Sequence, residues 1–166
     1  KIYNTAFKSY EFGNSFNVVY DDVNTLAFFA ELKVEVSDKF SLGINGTYDT
    51  HSTDIQKEAW NLPDIEVSVF SNFNITEQLY GSASLFYVGE RKDLVYNNDP
   101  FGNSIDQEVT LEGYVDANLS FGYRFTDKLS VFVEGSNLFS NNYEKWLNYP
   151  VQGIQGLAGV TYKFDW

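Results

Sequence analysis

The sequence predicts an all-β protein, namely a transmembrane antiparallel up-and-down β-barrel or a large part of one, with about eight strands in this chain. Three observations predict this fold. Apolar and polar residues alternate over most of the chain, one short turn recurs three times, and no clear strand carries a charged residue on its apolar face. Successive side chains of a strand point to opposite faces, so the alternation gives each strand one apolar and one polar face.

Residues 113–125 show the alternation most clearly. Their odd-numbered positions are apolar, and their even-numbered positions are mostly polar. No helical phase would collect those apolar residues on one side, so the pattern indicates a strand. A short turn at 126–128 leads into a second alternating run at 129–139, and the two runs are therefore predicted to form a hairpin.

The other elements repeat this plan in chain order. Residues 1–10 are only weakly patterned, and a turn is expected at 11–14. Further strands are predicted at 15–20, 25–36, 40–50, 64–75, 79–91 and 156–166. Long polar loops are predicted at 51–63, 92–111 and 141–155, because these stretches lack the alternation.

The recurring turn indicates how the strands are connected. Its three versions are Ser37-Asp38-Lys39-Phe40, Thr76-Glu77-Gln78-Leu79 and Thr126-Asp127-Lys128-Leu129. Hairpins with tight turns at one end and longer loops at the other form a meander rather than a Greek key. Bacterial outer-membrane barrels have short periplasmic turns and longer outside loops. The turns and the C-terminus are therefore predicted to lie in the periplasm of a Gram-negative cell.

The two faces of the strands are predicted to meet different surroundings. A Lys or Arg facing lipid at mid-membrane would cost about 2–4 kcal/mol, which accounts for the uncharged face. The predicted lipid-facing residues are Leu26, Phe28, Leu32, Ile44, Val67, Val69, Leu85, Leu119, Phe121, Val131, Val133 and Val160. The predicted lumen-facing polar residues are Glu31, Lys33, Glu66, Asp116, Asn118, Arg124, Glu134 and Lys163.

Composition excludes several classes of protein. The chain has 166 residues, which suits one domain, and it is 43% hydrophobic and 18% aromatic, which excludes disorder. It contains no Cys, so it has no disulfide framework and no thiolate metal site. It contains no Met, which predicts a mature or trimmed piece. Its net charge of −12 argues against a nucleic-acid partner.

Signals for chemistry are weak, and we expect no enzyme activity, no metal and no cofactor. His51 is the only histidine, and a metal site would need a second imidazole or thiolate. Asp116, Glu134 and Arg124 lie on a strand face that lacks the desolvated cleft of an acid–base site. Four loop aromatics could stack on a ligand, pack loop against loop or lie at the lipid headgroups. These are Trp60, Tyr143, Trp146 and Tyr149.

The chain ends in alternating aromatic residues, Tyr162, Phe164 and Trp166. A closing strand with a terminal aromatic residue resembles the signal that the bacterial barrel-assembly machinery reads. The same residues would also suit an aromatic girdle at the membrane surface. The two interpretations are compatible.

Motifs near the C-terminus resemble those of TonB-dependent outer-membrane receptors, most closely the Bacteroidetes-type members. They include Asn137-Leu138, the Tyr149-Pro150-Val151-Gln152-Gly153 segment and the closing aromatic strand. Val19-Tyr20-Asp21-Asp22-Val23-Asn24 and Ala59-Trp60-Asn61-Leu62-Pro63 extend the resemblance over nearly the whole chain.

The resemblance implies that residues 1–166 are the last third of a barrel of about 22 strands, a size whose lumen is normally plugged. The plug and the segment that contacts the energy-coupling complex would lie N-terminal to this chain, which contains neither. The implied partners are outer-membrane lipid, the rest of the barrel, the plug, the energy-coupling complex and, in some receptors, a surface lipoprotein. The ligand could be a metal chelate, a glycan, a peptide or a cobalamin.

Two alternatives remain open. A self-contained eight-stranded barrel with a structural, adhesion or assembly role would require the first and last strands to pair. The small residues on the polar face, such as Ser82 and Ser120, favour a wide barrel instead. A soluble β-sandwich binding module would bury the apolar face against a second sheet.

Overall fold

The computed structural model describes residues 2–4, 14–16, 19–98 and 104–164, and the side chains of 19–95 and 106–164. The described residues form strands, turns and loops without a helix. In chain order the strands are β1 (Ile2–Asn4), β2 (Asn14–Phe16), β3 (Val23–Ser37), β4 (Phe40–Thr53), β5 (Ile65–Asn74), β6 (Leu79–Val88), β7 (Arg91–Asn98), β8 (Ser104–Leu111), β9 (Tyr114–Arg124), β10 (Leu129–Ser136), β11 (Glu144–Trp146), β12 (Tyr149–Pro150) and β13 (Gln155–Tyr162). Accordingly, no helix in these ranges is long and apolar enough to span a membrane.

Seven strands form the main sheet, in the order β13-β10-β9-β6-β5-β4-β3. Every neighbouring pair is antiparallel. The strands follow one another in chain order except that the β7–β8 hairpin is inserted between β6 and β9, and the β11–β12 hairpin between β10 and β13. The up-and-down meander predicted from the sequence is therefore present. We call the end that carries turns 37–39, 76–78 and 126–128 the turn end, and the opposite end the loop end.

The prediction of a polar loop at 92–111 is wrong. Residues 91–98 and 104–111 pair as the antiparallel hairpin β7–β8, from Arg91 opposite Leu111 to Asn98 opposite Ser104. This hairpin continues the β6–β9 pair past a break at residues 89–90 and 112–113. Because the hairpin stands beyond the main sheet, it needs no continuous apolar face, and alternation therefore could not reveal it.

The predicted strand at 15–20 is described only in part, because residues 17–18 lie outside the described residues. Its described start belongs to β2, which pairs with β1 rather than with the main sheet, and residues 19–20 are not in a strand. β1 in turn pairs with β7. Among the described residues, β3 therefore pairs only with β4, and β13 pairs only with β10. The predicted loop at 141–155 contains the short β11–β12 hairpin. Trp166 lies outside the described residues.

The recurring turns share a hydrogen-bond pattern that explains their sequence. The Thr76 hydroxyl accepts the backbone N–H of Leu79 at 2.8 Å, and the Thr126 hydroxyl accepts that of Leu129 at 3.0 Å. The third residue of each turn also accepts a backbone N–H from the strand that follows in the sheet. These pairs are Lys39 with Asn74, Gln78 with Arg124 and Lys128 with Lys163, at 2.7–2.9 Å.

Candidate functional site: the polar face and the loop end

The register divides the main sheet into an apolar and a polar face. All twelve residues predicted to face lipid lie on the apolar face, as the row Leu32, Ile44, Val69, Leu85 illustrates. Eight of the twelve are exposed, from 38% for Phe121 to 68% for Val160, and Val67, Val69, Leu119 and Val131 are half-buried. No large side chain of the described residues covers this face.

The eight predicted polar residues are placed less uniformly. Glu31, Lys33, Glu66, Arg124 and Glu134 are exposed. Asn118 is half-buried, and Lys163 is exposed just beyond β13. Lys33 pairs with Glu35 on the same strand at 2.8 Å. Asp116 differs from all of these, because only 1% of its surface is exposed.

The centre of the polar face is a shallow depression of about 730 Å³. Its floor consists of small polar side chains from β6, β9 and β10. Ser82 and Ser120 share a hydrogen bond of 3.0 Å between their hydroxyl oxygens, and the Asn118 amide donates to the Ser84 hydroxyl at 3.4 Å. Glu134 also lines the depression. The floor is thus flat and rich in hydrogen-bonding groups.

Large aromatic rings also lie on the polar face, which the sequence analysis did not anticipate. Three of them are directly opposite a glycine of the neighbouring strand: Phe70 opposite Gly43, Tyr80 opposite Gly122, and Phe132 opposite Gly159. A Cβ added at any of these glycines would overlap the facing ring. The rings therefore lie flat over glycine backbone, an arrangement that fixes strand register.

Asp116 is buried because the loop of residues 141–155 covers it. The backbone N–H of Ala117 donates to its Oδ1 at 2.7 Å, and the Tyr143 hydroxyl donates to its Oδ2 at 3.2 Å. The Tyr143 ring stacks on Tyr114, with ring centroids 3.6 Å apart and planes within 5°. Tyr143 therefore packs the 141–155 loop against β9.

Two more buried charges hold the same loop. Arg91 donates to the backbone carbonyls of Glu144 at 2.8 Å and Lys145 at 3.3 Å, and its guanidinium lies 5.2 Å from the Tyr114 ring centre. The backbone N–H of Leu147 donates to Oδ2 of Asp93 at 3.2 Å. Together these groups join the base of the β7–β8 hairpin to residues 143–147.

The surroundings of Tyr143 raise the pKa of its hydroxyl group. Burial, followed by the nearby Asp116 carboxylate, raises the pKa of Tyr143 to about 12. Both causes disfavour a second negative charge beside Asp116. The Tyr143 hydroxyl therefore stays protonated and continues to donate its hydrogen bond.

The segment at 51–63 is held by its own polar contacts. The Asp21 carboxylate accepts the backbone N–H groups of Ile55 at 3.0 Å and Gln56 at 2.6 Å, and these bonds lower the pKa of Asp21. The indole N–H of Trp60 donates to the Gln56 side chain at 3.1 Å. Trp60 is therefore half-buried in loop packing, while Trp146 is 43% exposed and Tyr149 half-buried.

An ion-pair network links the 51–63 segment to the hairpin. Glu108 pairs with Lys57 at 2.5 Å and with Lys92 at 3.3 Å. Both lysines lower the pKa of Glu108, mainly through their hydrogen bonds. His51 contacts the Thr25 hydroxyl at 3.0 Å. In the described ranges, no three His, Cys, Asp or Glu side chains are grouped as a metal site would require.

The fold of this sheet is similar to part of the β-barrel of outer-membrane receptors. Its structural neighbours include the ferripyoverdine receptor of Pseudomonas aeruginosa, with a TM-score of 0.71 and 20% identity over 87% of this chain and 20% of that chain. They also include the siderophore receptor PirA of Acinetobacter baumannii, with a TM-score of 0.69 and 22% identity over 83% of this chain and 22% of that chain.

In sequence, the chain is similar to the vitamin B12 transporter BtuB of Vibrio cholerae, at 26% identity over 98% of this chain. The chain spans about a quarter of that relative's length, 24%. No protein-family model matches. The relative is thus named as a transporter, and the two structural neighbours are named as receptors.

Proposed function

We propose that this chain is the C-terminal part of the barrel wall of a TonB-dependent receptor that takes up a nutrient across the outer membrane. The observation that carries the proposal is a meander of seven strands, five of them 10 to 15 residues long, in which one face of the sheet is apolar, uncharged and largely exposed. The similarity to vitamin B12 and siderophore receptors supports it.

The parity of the sheet supports a larger barrel rather than a self-contained one. With seven antiparallel strands, β3 and β13 both run from the loop end to the turn end. Two such edges could meet only as a parallel pair, whereas bacterial single-chain barrels are antiparallel with an even number of strands. An odd number of further strands is therefore needed to close the barrel.

The proposed orientation follows from the two ends of the sheet. The apolar face contacts hydrocarbon, and the polar face lines the lumen and contacts a plug. The turn end and the C-terminus lie in the periplasm, where Tyr162, Phe164 and Trp166 serve as the assembly signal, and the loop end lies outside the cell. The plug and the energy-coupling segment belong to a region N-terminal to residues 1–166. We propose that residues 1–166 themselves form one barrel domain.

The proposed ligand is a nutrient of the size of a cobalamin or a ferric siderophore, the cargoes of the similar receptors. Catalysis is not part of the proposed role, and a surface lipoprotein partner stays a prediction. The Bacteroidetes-type likeness also stays a prediction, resting on Asn137-Leu138 and residues 149–153, since the reported relatives come from Vibrio, Pseudomonas and Acinetobacter.

Single-cysteine labelling of the complete polypeptide tests the orientation, because residues 1–166 contain no native Cys. Asn142→Cys lies at the loop end and Asp38→Cys at the turn end, and both positions are exposed. A membrane-impermeant maleimide added to intact cells should label Asn142→Cys alone, and lysis should expose Asp38→Cys. Labelling of Asp38→Cys in intact cells, or a protein that is water-soluble without detergent, would refute the proposal.

A further inference from the structure

The most deeply buried charged side chains of the described residues lie together at the loop end. Arg91 is 6% exposed, Asp93 2% and Asp116 1%. Charged groups are costly to bury unless hydrogen bonds compensate. A loop that only connected β10 to β13 would require no such groups, so their burial needs an explanation.

All three buried charges bind the same segment. Four hydrogen bonds join them to Tyr143, Glu144, Lys145 and Leu147, and the Tyr114–Tyr143 stack adds an aromatic contact. The charges belong to β7 and β9, whereas their partners lie 27 to 54 residues further along the chain. The arrangement therefore holds together two segments that could otherwise move independently.

The joined segments form a surface that neither forms alone. A depression of about 610 Å³ has one wall built from residues 109–115 and the other from residues 141–147. Tyr114 and Tyr143, the stacked pair, belong to opposite walls. Separation of the loop from the hairpin would therefore abolish this depression.

We propose that Arg91, Asp93 and Asp116 are positioning residues that clamp the 141–155 loop onto the base of the β7–β8 hairpin. We call this set of contacts the clamp. Through it the loop and the hairpin move as one lip at the mouth of the barrel. The location of the lip outside the cell rests on the proposed function, whereas the clamp itself does not.

Trypsin cleavage after Lys145 tests the clamp in the complete polypeptide, because Arg91 binds the carbonyl of that same peptide bond. Cleavage requires local opening of the loop. Arg91→Gln should accelerate it at least tenfold. Lys92→Gln is the matched control, since it also removes one cation and one trypsin site, but Lys92 pairs with Glu108 and Thr110 within the hairpin. Equal rates in these two variants would overturn the proposal.

Two further variants keep the test decisive if Arg91→Gln does not fold, as judged by its mobility on unboiled gels. Tyr143→Phe keeps the ring but loses the bond to Asp116, and it should accelerate cleavage about threefold. Asp93→Asn should reduce the hydrogen-exchange protection of the Leu147 amide at least tenfold. Unchanged cleavage and protection in both would overturn the clamp.

Trypsin cleavage of the protein in detergent and in intact cells tests the clamp and its location separately. In detergent, the difference between Arg91→Gln and Lys92→Gln should appear wherever the loop lies in the cell. In intact cells, the same difference should appear only if the loop is outside. A difference in detergent combined with full resistance in intact cells would support the clamp and refute the proposed orientation.

Discussion

In the seven-stranded wall large apolar side chains are exposed, whereas at the loop end charged side chains are buried. Leu26, Leu32 and Val160 are each at least 60% exposed, while Asp93 and Asp116 are at most 2% exposed. The only buried apolar residues of the described chain, Leu94 and Leu111, also belong to the hairpin at the loop end. The usual relation between burial and polarity is thus reversed in the wall.

The difference shows that the two regions are stabilised by different means. In the wall, backbone ladders join each strand to its neighbours in the sheet, and we propose that hydrocarbon rather than a protein core surrounds the apolar side chains. At the loop end, specific hydrogen bonds and ion pairs hold the loops and the buried charged side chains in place. Changes in the wall should therefore affect global stability, and changes at the loop end should act locally.

The largest expected effect is a charge placed in the middle of the apolar face. Val69→Arg should lower the free energy of unfolding in lipid vesicles by about 2–4 kcal/mol, because Val69 is central in β5 and lies on the face that we propose contacts hydrocarbon. Urea unfolding of the complete polypeptide measures it. Ser68→Arg, one residue away on the polar face, should cost less than about 1 kcal/mol.

If the apolar face contacts lipid, the stability loss from an arginine should depend on how deep in the membrane the arginine lies. Tyr48→Arg, at the loop end of the apolar face, should cost only about 0–1 kcal/mol, because an arginine there reaches the membrane surface. A second sheet packed on this face would make the two positions similar. Equal losses for Val69→Arg and Tyr48→Arg would therefore contradict the assignment of this face to lipid.

The next effect concerns the aromatic rings over glycines. Gly43→Ala should destabilise the wall by about 1–3 kcal/mol, because the added methyl group displaces the Phe70 ring. Phe70→Ala should also destabilise the wall, because the Phe70 ring no longer packs on the Gly43 backbone. The double variant should be less unstable than the sum of the two, by at least about 0.5 kcal/mol in the same unfolding assay.

Gly46→Ala is the matched control on the same strand. A Cβ there would meet its nearest atom, the Glu66 carbonyl oxygen, at 3.4 Å, which is ordinary contact. Its effect should be small and additive with Phe70→Ala. If Gly43→Ala were additive with Phe70→Ala as well, the ring would have no role in fixing the register.

The wall could be predicted from the sequence because its strands alternate strongly and its turns repeat. The turn at 76–78 even fixes the register of one pair, Phe73 opposite Gly81. The pairs Phe70 with Gly43 and Tyr80 with Gly122 could not be predicted, because long connections of variable geometry separate their strands. A register must be known before a ring can be assigned to a glycine.

The loop end was largely beyond prediction for a different reason. The β7–β8 hairpin is held by backbone pairing and carries no regular amphipathic pattern. The contacts of Arg91 with Glu144 and of Asp93 with Leu147 join residues more than fifty positions apart. Local patterns contain no information about such contacts, and a charged residue in a polar stretch is ordinarily solvated.

The smallest expected effect is a shift in the ionisation of Tyr143, measured by absorbance, and it tests whether water reaches the buried side chains at the loop end. Tyr143 should ionise with a pKa of about 12, above the ordinary value near 10. As the pH rises, the unfolded chain loses this proton first, so the stabilisation from the neutral hydroxyl is complete below about pH 10 and is lost towards pH 12. The tyrosinate absorbance of the folded protein measures this titration. Tyr143→Phe should remove one late-titrating tyrosine of the 12 in this chain, and loss of an early-titrating one instead would show that water reaches Asp116 freely.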